Sequence, residues 1–235
     1  MRQSPFIWLG SGRTRKRKVA RKGRLLDLAA RSGLPVPYGG ILLDDFYRIC
    51  LLEGLAEPMG GAVVIPDPVW LHEVLYRDVR FPRLKKFAAV RSAVAIPASE
   101  SRTISIARLD VDFRDPAQVA EALREVWSAM HRLNNEQPLD VLVMEMVAIQ
   151  TAGEAISALD STNDQINVTK GADSELYGSF TLEKIGAFQR ASVNMPPFAR
   201  RLQKLLRGVR RSFGKGDWRI DWADDGEICR LLQIY

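Results

Sequence analysis

Near Pro138 the chain changes texture, and that change limits its architecture more than any other feature. Before it, apolar residues recur at helical spacing or in runs cut short by proline and glycine. After it, VLVMEMVAI (141–149), GEAISAL (153–159) and DQINVTK (164–170) follow as short β-prone segments separated by Gly, Asp, Ser and Asn. Pro196 and Pro197 then introduce a helix with Phe198, Leu202, Leu205, Leu206 and Val209 predicted inward and its arginines outward. Two last strands, DWRIDWA and EICRLLQIY, flank the turn Asp224-Asp225-Gly226. The expected class is α+β, with one subdomain over 1–135 and a second over 136–235.

The first part reads in shorter pieces. Leu25, Leu26, Leu28, Ala29 and Ala30 lie on one helical face between Gly23 and Gly33, and Pro35 and Pro37 stop that helix. Ile41-Leu42-Leu43 precedes Asp44 and Asp45, which are predicted to cap a helix running to about Leu55. Pro66 and Pro68 break the chain before a short helix near 70–76. Residues 87–94 and 103–109 read as a hairpin. Asp115 and Pro116 start the clearest helix, with Val119, Leu123, Val126, Trp127 and Met130 on one face.

Composition excludes several classes. A chain of 235 residues has ample material for a buried core, and its 26% charged residues are ordinary for a globular protein. No apolar run approaches the roughly 18–20 residues of a membrane span. The positive charges of the first segment follow its short apolar patch, the reverse of a secretory signal. Cys50 and Cys229 are far apart, and with His72 and His131 they make no familiar zinc site. The expected setting is cytoplasmic and reducing, with no membrane partner and no structural metal. The net charge of +6 is concentrated in two clusters, one from Arg13 to Arg24 and one from Arg200 to Lys215. Such clusters attract phosphate or stand as solvated surface.

Four segments carry chemistry. In ARKGRLLDLAARSGLPVPYG, Lys22 and Gly23 stand at a helix start, where a mobile cation beside free backbone N–H groups makes a phosphate site. In AAVRSAV, Arg91 lies within an apolar strand, a costly place for a guanidinium unless it meets an anion or an ion-pair partner. In VLVMEMV, Glu145 is the one carboxylate in an otherwise apolar strand. In RIDWADDGEICRLLQIY, Asp221 and Gln233 bring two hard oxygen donors to neighbouring strands. Each segment taken alone also fits a structural role.

In this order the four segments resemble the ATP-grasp nucleotide-binding domain of the phosphoenolpyruvate synthase, pyruvate phosphate dikinase and rifampin phosphotransferase family. The likeness spans about residues 5 to 235. The resemblance implies an ATP-grasp-like fold in which two α+β subdomains enclose a nucleotide cleft. It makes Lys22 and Arg91 the catalytic, phosphate-binding cations. Glu145 and Val147 match the family's adenine edge, with Met144 where the family has glutamine. Asp221 and Gln233 are the implied metal ligands, and Gln233 also borders the nucleotide. ATP and Mg²⁺ are the implied cofactors. The phosphate acceptor is a histidine on a separate phosphohistidine-domain polypeptide, or a small molecule.

Three positions depart from the family pattern. Arg219 stands where the family has aspartate, and Tyr235 where it has an arginine that touches the transferring phosphate. The stretch SRTISIARLDVD (101–112) replaces a glycine-containing loop that covers the phosphates. Three functional readings follow: an active ATP-dependent phosphotransferase module, a catalytically degenerate nucleotide-binding regulatory module, and a basic nucleic-acid-binding protein. The last rests on the charge clusters alone and lacks the interleaved aromatics of a stacking platform, so nucleic acid is not an expected partner.

Overall fold

The computed structural model describes residues 4–85, 87–93, 96–99, 102–104, 106–132, 138–170, 178–186 and 188–235. It is an α+β chain of two compact units. One comprises Met1–Asp27 with Tyr38–Met146, and the other Leu28–Pro37 with Val147–Tyr235. The change of texture near residue 136 therefore precedes the division. The segment that begins the run of strands, β9 (Val141–Glu145), is the middle strand of the first unit's sheet.

In the first unit, β1 (Phe6–Trp8), β2 (Gly39–Leu42), β5 (Ala88–Ser92) and β8 (Ala107–Val111) join β9 in the order β1-β2-β9-β5-β8, every pair antiparallel. The expected hairpin is present as β5 with β8, in register Ala88↔Val111 and Arg91↔Ala107. Between them β6 (Ile96–Ser99) and β7 (Arg102–Ile104) make a two-stranded sheet of their own. A second small pair, β3 (Glu57–Met59) with β4 (Ala62–Val64), was not apparent from the pattern.

Helices pack on this sheet where the apolar spacing predicts them. In α4 (Pro116–Arg132), Asp115 accepts a hydrogen bond from the Ala117 N–H at 2.9 Å, and Val119, Leu123, Val126, Trp127 and Met130 are buried. Trp127 lies against Phe46 and Tyr47, with ring centroids 6.0 and 4.9 Å away. Those two rings belong to α2 (Asp44–Leu52), which differs from expectation at its start. Leu43 is the N-cap and makes no side-chain cap bond, while Asp44 and Asp45 sit in the first turn. The Asp44 carboxylate instead accepts from the Leu139 N–H at 3.1 Å and binds Arg48 one turn on at 2.6 Å. Its contribution to the helix is negative charge near the positive end of the dipole. The short helix α3 (Pro68–Glu73) starts on Asp67, whose carboxylate accepts from the Val69 and Trp70 N–H groups, both at 3.0 Å. It continues as a π turn over Val74–Asp78.

The second unit is a five-stranded antiparallel sheet with one helix on it. Its strands are β10 (Thr151–Ser157), β11 (Asn163–Lys170), β12 (Gly178–Glu183), β13 (Trp218–Asp224) and β14 (Cys229–Ile234), in the order β12-β11-β10-β13-β14. Helix α5 (Pro197–Phe213) buries Phe198, Leu202, Leu205, Leu206 and Val209, with Phe198 stacked on Trp222 at 6.0 Å. Gly226 turns the β13–β14 connection at φ +94, where an added Cβ would meet the Gln150 amide at 2.6 Å.

The arginines of α5 do not all face outward. Arg201 forms two hydrogen bonds, 2.6 and 2.7 Å, to Asp224, which is 1% exposed. Arg210 does the same at 2.7 and 2.9 Å to Asp164, which is 0% exposed. Neither carboxylate is tolerable in the sheet's core without a cation, so two helix positions that look solvated by periodicity turn inward.

Candidate functional site

The first unit holds Lys22, Arg91 and Glu145. Lys22 occupies the first turn of α1 (Arg21–Arg31) and is 2% exposed. The helix start is tied down from far along the chain. Asp140, fully buried, accepts from the Ala20 N–H and the Asp44 N–H, both at 2.8 Å. Burial raises the pKa of Asp140, partly offset by these two backbone donors. Two otherwise unpaired donors, one at the start of α1 and one at the start of α2, are thereby satisfied.

Strand register places Arg91 on the same side as that helix start. A Cβ on Gly23 would stand 2.9 Å from Ile41 Cδ1, so the turn carrying Lys22 lies directly on β2 at Ile41. Ile41 pairs with Leu142, and Leu142 with Arg91. Cross-strand partners project from one face. Lys22's turn and Arg91 therefore share a face of the sheet.

Glu145 is placed differently. It is the register partner of Ala88, three residues from Arg91, so it points from the other face. Its Oε1 accepts from the Lys85 N–H at 2.9 Å. The N–H groups of Glu145 and Met146 donate to the Tyr38 and Phe87 carbonyls at 2.8 and 2.7 Å. Val147, half-buried, is the first residue of this stretch counted with the second unit.

The second unit brings Asp221 and Gln233 together as direct partners on β13 and β14. They belong to a longer row. Ser179, Asn167, Glu154, Asp221 and Gln233 are successive cross-strand neighbours over all five strands. The row faces away from α5, because Trp222, next to Asp221, is the residue stacked on Phe198. Gln233 is 1% exposed, whereas Glu154 and Asp221 are more open.

Arg219 lies two residues from Asp221 along β13, and it forms its ion pair across strands. Arg219 Nη2 lies 2.7 Å from Glu154 Oε1, and its guanidinium lies 5.6 Å from the centroid of the Tyr235 ring. The Tyr235 hydroxyl donates to Asp221 Oδ2 at 3.0 Å. Glu154 is the register partner of Asp221 and so a diagonal neighbour of Arg219, within reach of long side chains. Burial, then the Asp221 charge, raise the Tyr235 pKa well above the usual phenol range, so the proton stays on the phenol.

The donor set defines the kind of metal that fits. Among the described residues, no group of three or more His, Cys, Asp or Glu is placed to hold an ion. Asp221, the Gln233 amide oxygen and neighbouring Glu154 are all hard oxygen donors. Magnesium is commonly held by one or two carboxylates while phosphates and water fill the remaining positions, and this set matches that pattern. A resident transition metal has no comparable ligands here.

Glu154 and Asp140 were not recognised in the sequence. Glu154 had a signal, being a half-buried acid in a strand whose neighbours Gly153 and Ala155 are buried. Asp140 had none, since its two backbone partners are 120 and 96 residues away. Of the stretch 101–112, residues 101 and 105 lie outside the described residues. The described remainder includes β7 and β8, so strand occupies much of the expected phosphate-covering loop.

No protein-family model matches the chain, and no curated protein is similar to it. Among solved structures, it is similar to D-alanine–D-alanine ligase from Bacillus anthracis complexed with ATP. That match has 9% identity, 96% of this chain, 56% of that chain and a TM-score of 0.47. It is similar to VanG D-Ala:D-Ser ligase from Enterococcus faecalis at 13% identity, 92% of this chain, 51% of that chain and a TM-score of 0.43. A RimK-domain ATP-grasp protein from Sphaerobacter thermophilus matches at 13% identity, 91% of this chain, 58% of that chain and a TM-score of 0.42. The chain spans little more than half the length of such structures. No helix among the described residues is long and apolar enough to cross a membrane.

Proposed function

We propose that this chain is an ATP-grasp nucleotide-binding module that takes ATP together with magnesium. The observation that carries the reading is the direct cross-strand pairing of Asp221 with Gln233, flanked by Glu154, on the polar face of the second sheet. Hard oxygen donors in that arrangement suit a cation that arrives with phosphate. Arg91, and Lys22 on the turn that packs against the same face of the first sheet, supply the charges that bind phosphate oxygens. Val147 marks the purine edge, because the N–H groups of the two residues before it are already taken. Magnesium, when bound, neutralises phosphate charge, and Asp221 and Gln233 are the residues that would hold it.

The ordered motifs favour phosphoryl transfer of the phosphoenolpyruvate synthase and pyruvate phosphate dikinase type, to a histidine on another polypeptide or to a small molecule. Turnover is expected to be slow. Transfer depends on positioning and on charge around the moving phosphoryl group, and Tyr235 offers a phenol where the family has a cation. Arg219 stands over that ring but is held by Glu154. This observation favours a second reading, a nucleotide-binding module without appreciable catalysis. Calorimetric ATP affinities of Lys22→Ala and Arg91→Ala test the shared part of both readings. Each is expected to lose at least about tenfold, from a charge-assisted contact of roughly 1.5–3 kcal/mol. Unchanged affinity in both variants contradicts it.

A further inference from the structure

The second basic cluster of the sequence plays no part in the proposed nucleotide site. On α5, Arg200, Lys204, Arg207 and Arg211 recur at intervals of four, three and four residues and so form one stripe. At 1.5 Å per residue the stripe is about 16 Å long. Two cavities adjoin along it. One, of about 670 Å³, is lined by Lys204, Arg207 and Arg211 over a floor that includes Leu205 and Ile228. The other, of about 400 Å³, is lined by Phe188, Arg190 and Arg200 and shares Lys204 and Arg207 with the first.

The charge along this trough is left standing. Arg201 and Arg210, the other arginines of the helix that line it, are neutralised by Asp224 and Asp164. Arg190, Arg200, Lys204, Arg207 and Arg211 have no ion pair among the described residues. Among the described residues, Glu227 is the single carboxylate lining the larger cavity. An aromatic group stands beside the cations. Phe188 is fully exposed, and Arg207 holds its segment by donating to the carbonyls of Gly186 and Gln189 at 3.4 and 3.0 Å.

We propose that the trough along α5 binds a single strand of nucleic acid, with the cation stripe on successive phosphates and Phe188 stacked on a base. A line of cations on one helix suits one phosphate backbone, and an exposed ring beside it is the element that sequence spacing did not reveal. Arginine dominates the stripe, and its planar fork matches phosphate oxygens. The hydrophobic ring distinguishes this occupant from an acidic protein segment, which needs only the charges. The trough flanks α5, on the opposite side of the sheet from the row containing Asp221, so this proposal stands apart from the nucleotide reading.

The test is fluorescence anisotropy of a labelled single DNA strand of about 16 nucleotides with the full chain. The titration is repeated between about 50 and 200 mM salt and against poly-glutamate as competitor. Contact with three or four phosphates predicts a slope of log affinity against log salt of about −2 to −3. Lys204→Gln with Arg211→Gln should reduce that slope by about 1.4, and Phe188→Ala should weaken binding at least about fivefold. All three residues lie on the surface, and a thermal melt confirms that each variant is folded. Saturating ATP should leave strand binding unchanged. No binding, or binding indifferent to both variants, overturns the proposal. Displacement by ATP overturns it in favour of the nucleotide site. Poly-glutamate binding of equal strength, with Phe188→Ala without effect, overturns it in favour of an acidic protein.

Discussion

Tyr235 gives its hydroxyl hydrogen to Asp221 Oδ2 at 3.0 Å, so the carboxylate expected to face a metal already has a partner within its own sheet. Magnesium held by Asp221 competes with that bond. Tyr235→Phe removes the competitor and keeps the ring beneath Arg219. Magnesium should then tighten ATP binding about three- to tenfold more than in the native chain, since a hydrogen bond to a charged group is worth roughly 1.5–3 kcal/mol and only part of it is lost on metal binding. Calorimetry with and without magnesium reads this directly, and an identical magnesium effect in both proteins removes the competition.

Asp140 ties together the starts of α1 and α2. Asp140→Ala leaves the buried N–H of Ala20 and the partly buried N–H of Asp44 without their acceptor. At about 1–3 kcal/mol each, a loss of about 2–6 kcal/mol is expected in urea denaturation. Asp140→Asn keeps one acceptor oxygen and should cost about half as much. Equal losses for the two variants would mean that side-chain volume, not hydrogen bonding, sets the cost.

The buried pair Arg210–Asp164 makes a sharper contrast on one helix. Arg210→Ala leaves a fully buried carboxylate uncompensated, and about 3–5 kcal/mol of stability should be lost. Arg211→Ala, one residue on and exposed, should change stability by less than about 0.5 kcal/mol. Adding Asp164→Asn to Arg210→Ala should recover part of the loss, and a double variant worse than the single would contradict the pairing.

Burial pushes the Cys50 thiol up to about 12 and raises Cys229 as well. Both thiols should resist labelling at about pH 8 until the chain unfolds. A thiol whose folded pKa is raised contributes stability that is fully present below its unfolded value of about 8.5 and is lost as pH rises towards the folded value. Stability should therefore fall between about pH 8.5 and 10, and fall less in Cys50→Ala. Rapid labelling of the folded chain would contradict the burial.

Periodicity made α1, α4 and α5 readable, because each presents one apolar stripe. The β13–β14 hairpin was readable from Asp224-Asp225-Gly226, since a turn of that composition favours one reversal of the chain. Strand β1, three residues long, and β12, with a single buried position among its six residues, carry too little alternation to register. The candidate site was legible where partners are near in sequence, as with Asp221 and Gln233. It was not legible where a partner comes from a strand far along the chain. Glu154 captures Arg219 from 65 residues away, and spacing along one strand cannot show that. The inward turn of Arg201 and Arg210 was hidden for the same reason, because helical periodicity registers a long charged side chain as solvent-facing.

The central claim, that Asp221 and Gln233 hold magnesium with ATP, is tested most directly by the magnesium dependence of ATP affinity in the native chain and in Asp221→Ala. The account predicts that magnesium tightens ATP binding in the native chain and has little effect in the variant, while both proteins keep a weaker, metal-independent affinity through Lys22 and Arg91. Equal tightening in the two proteins, or no magnesium effect in the native chain, would contradict it.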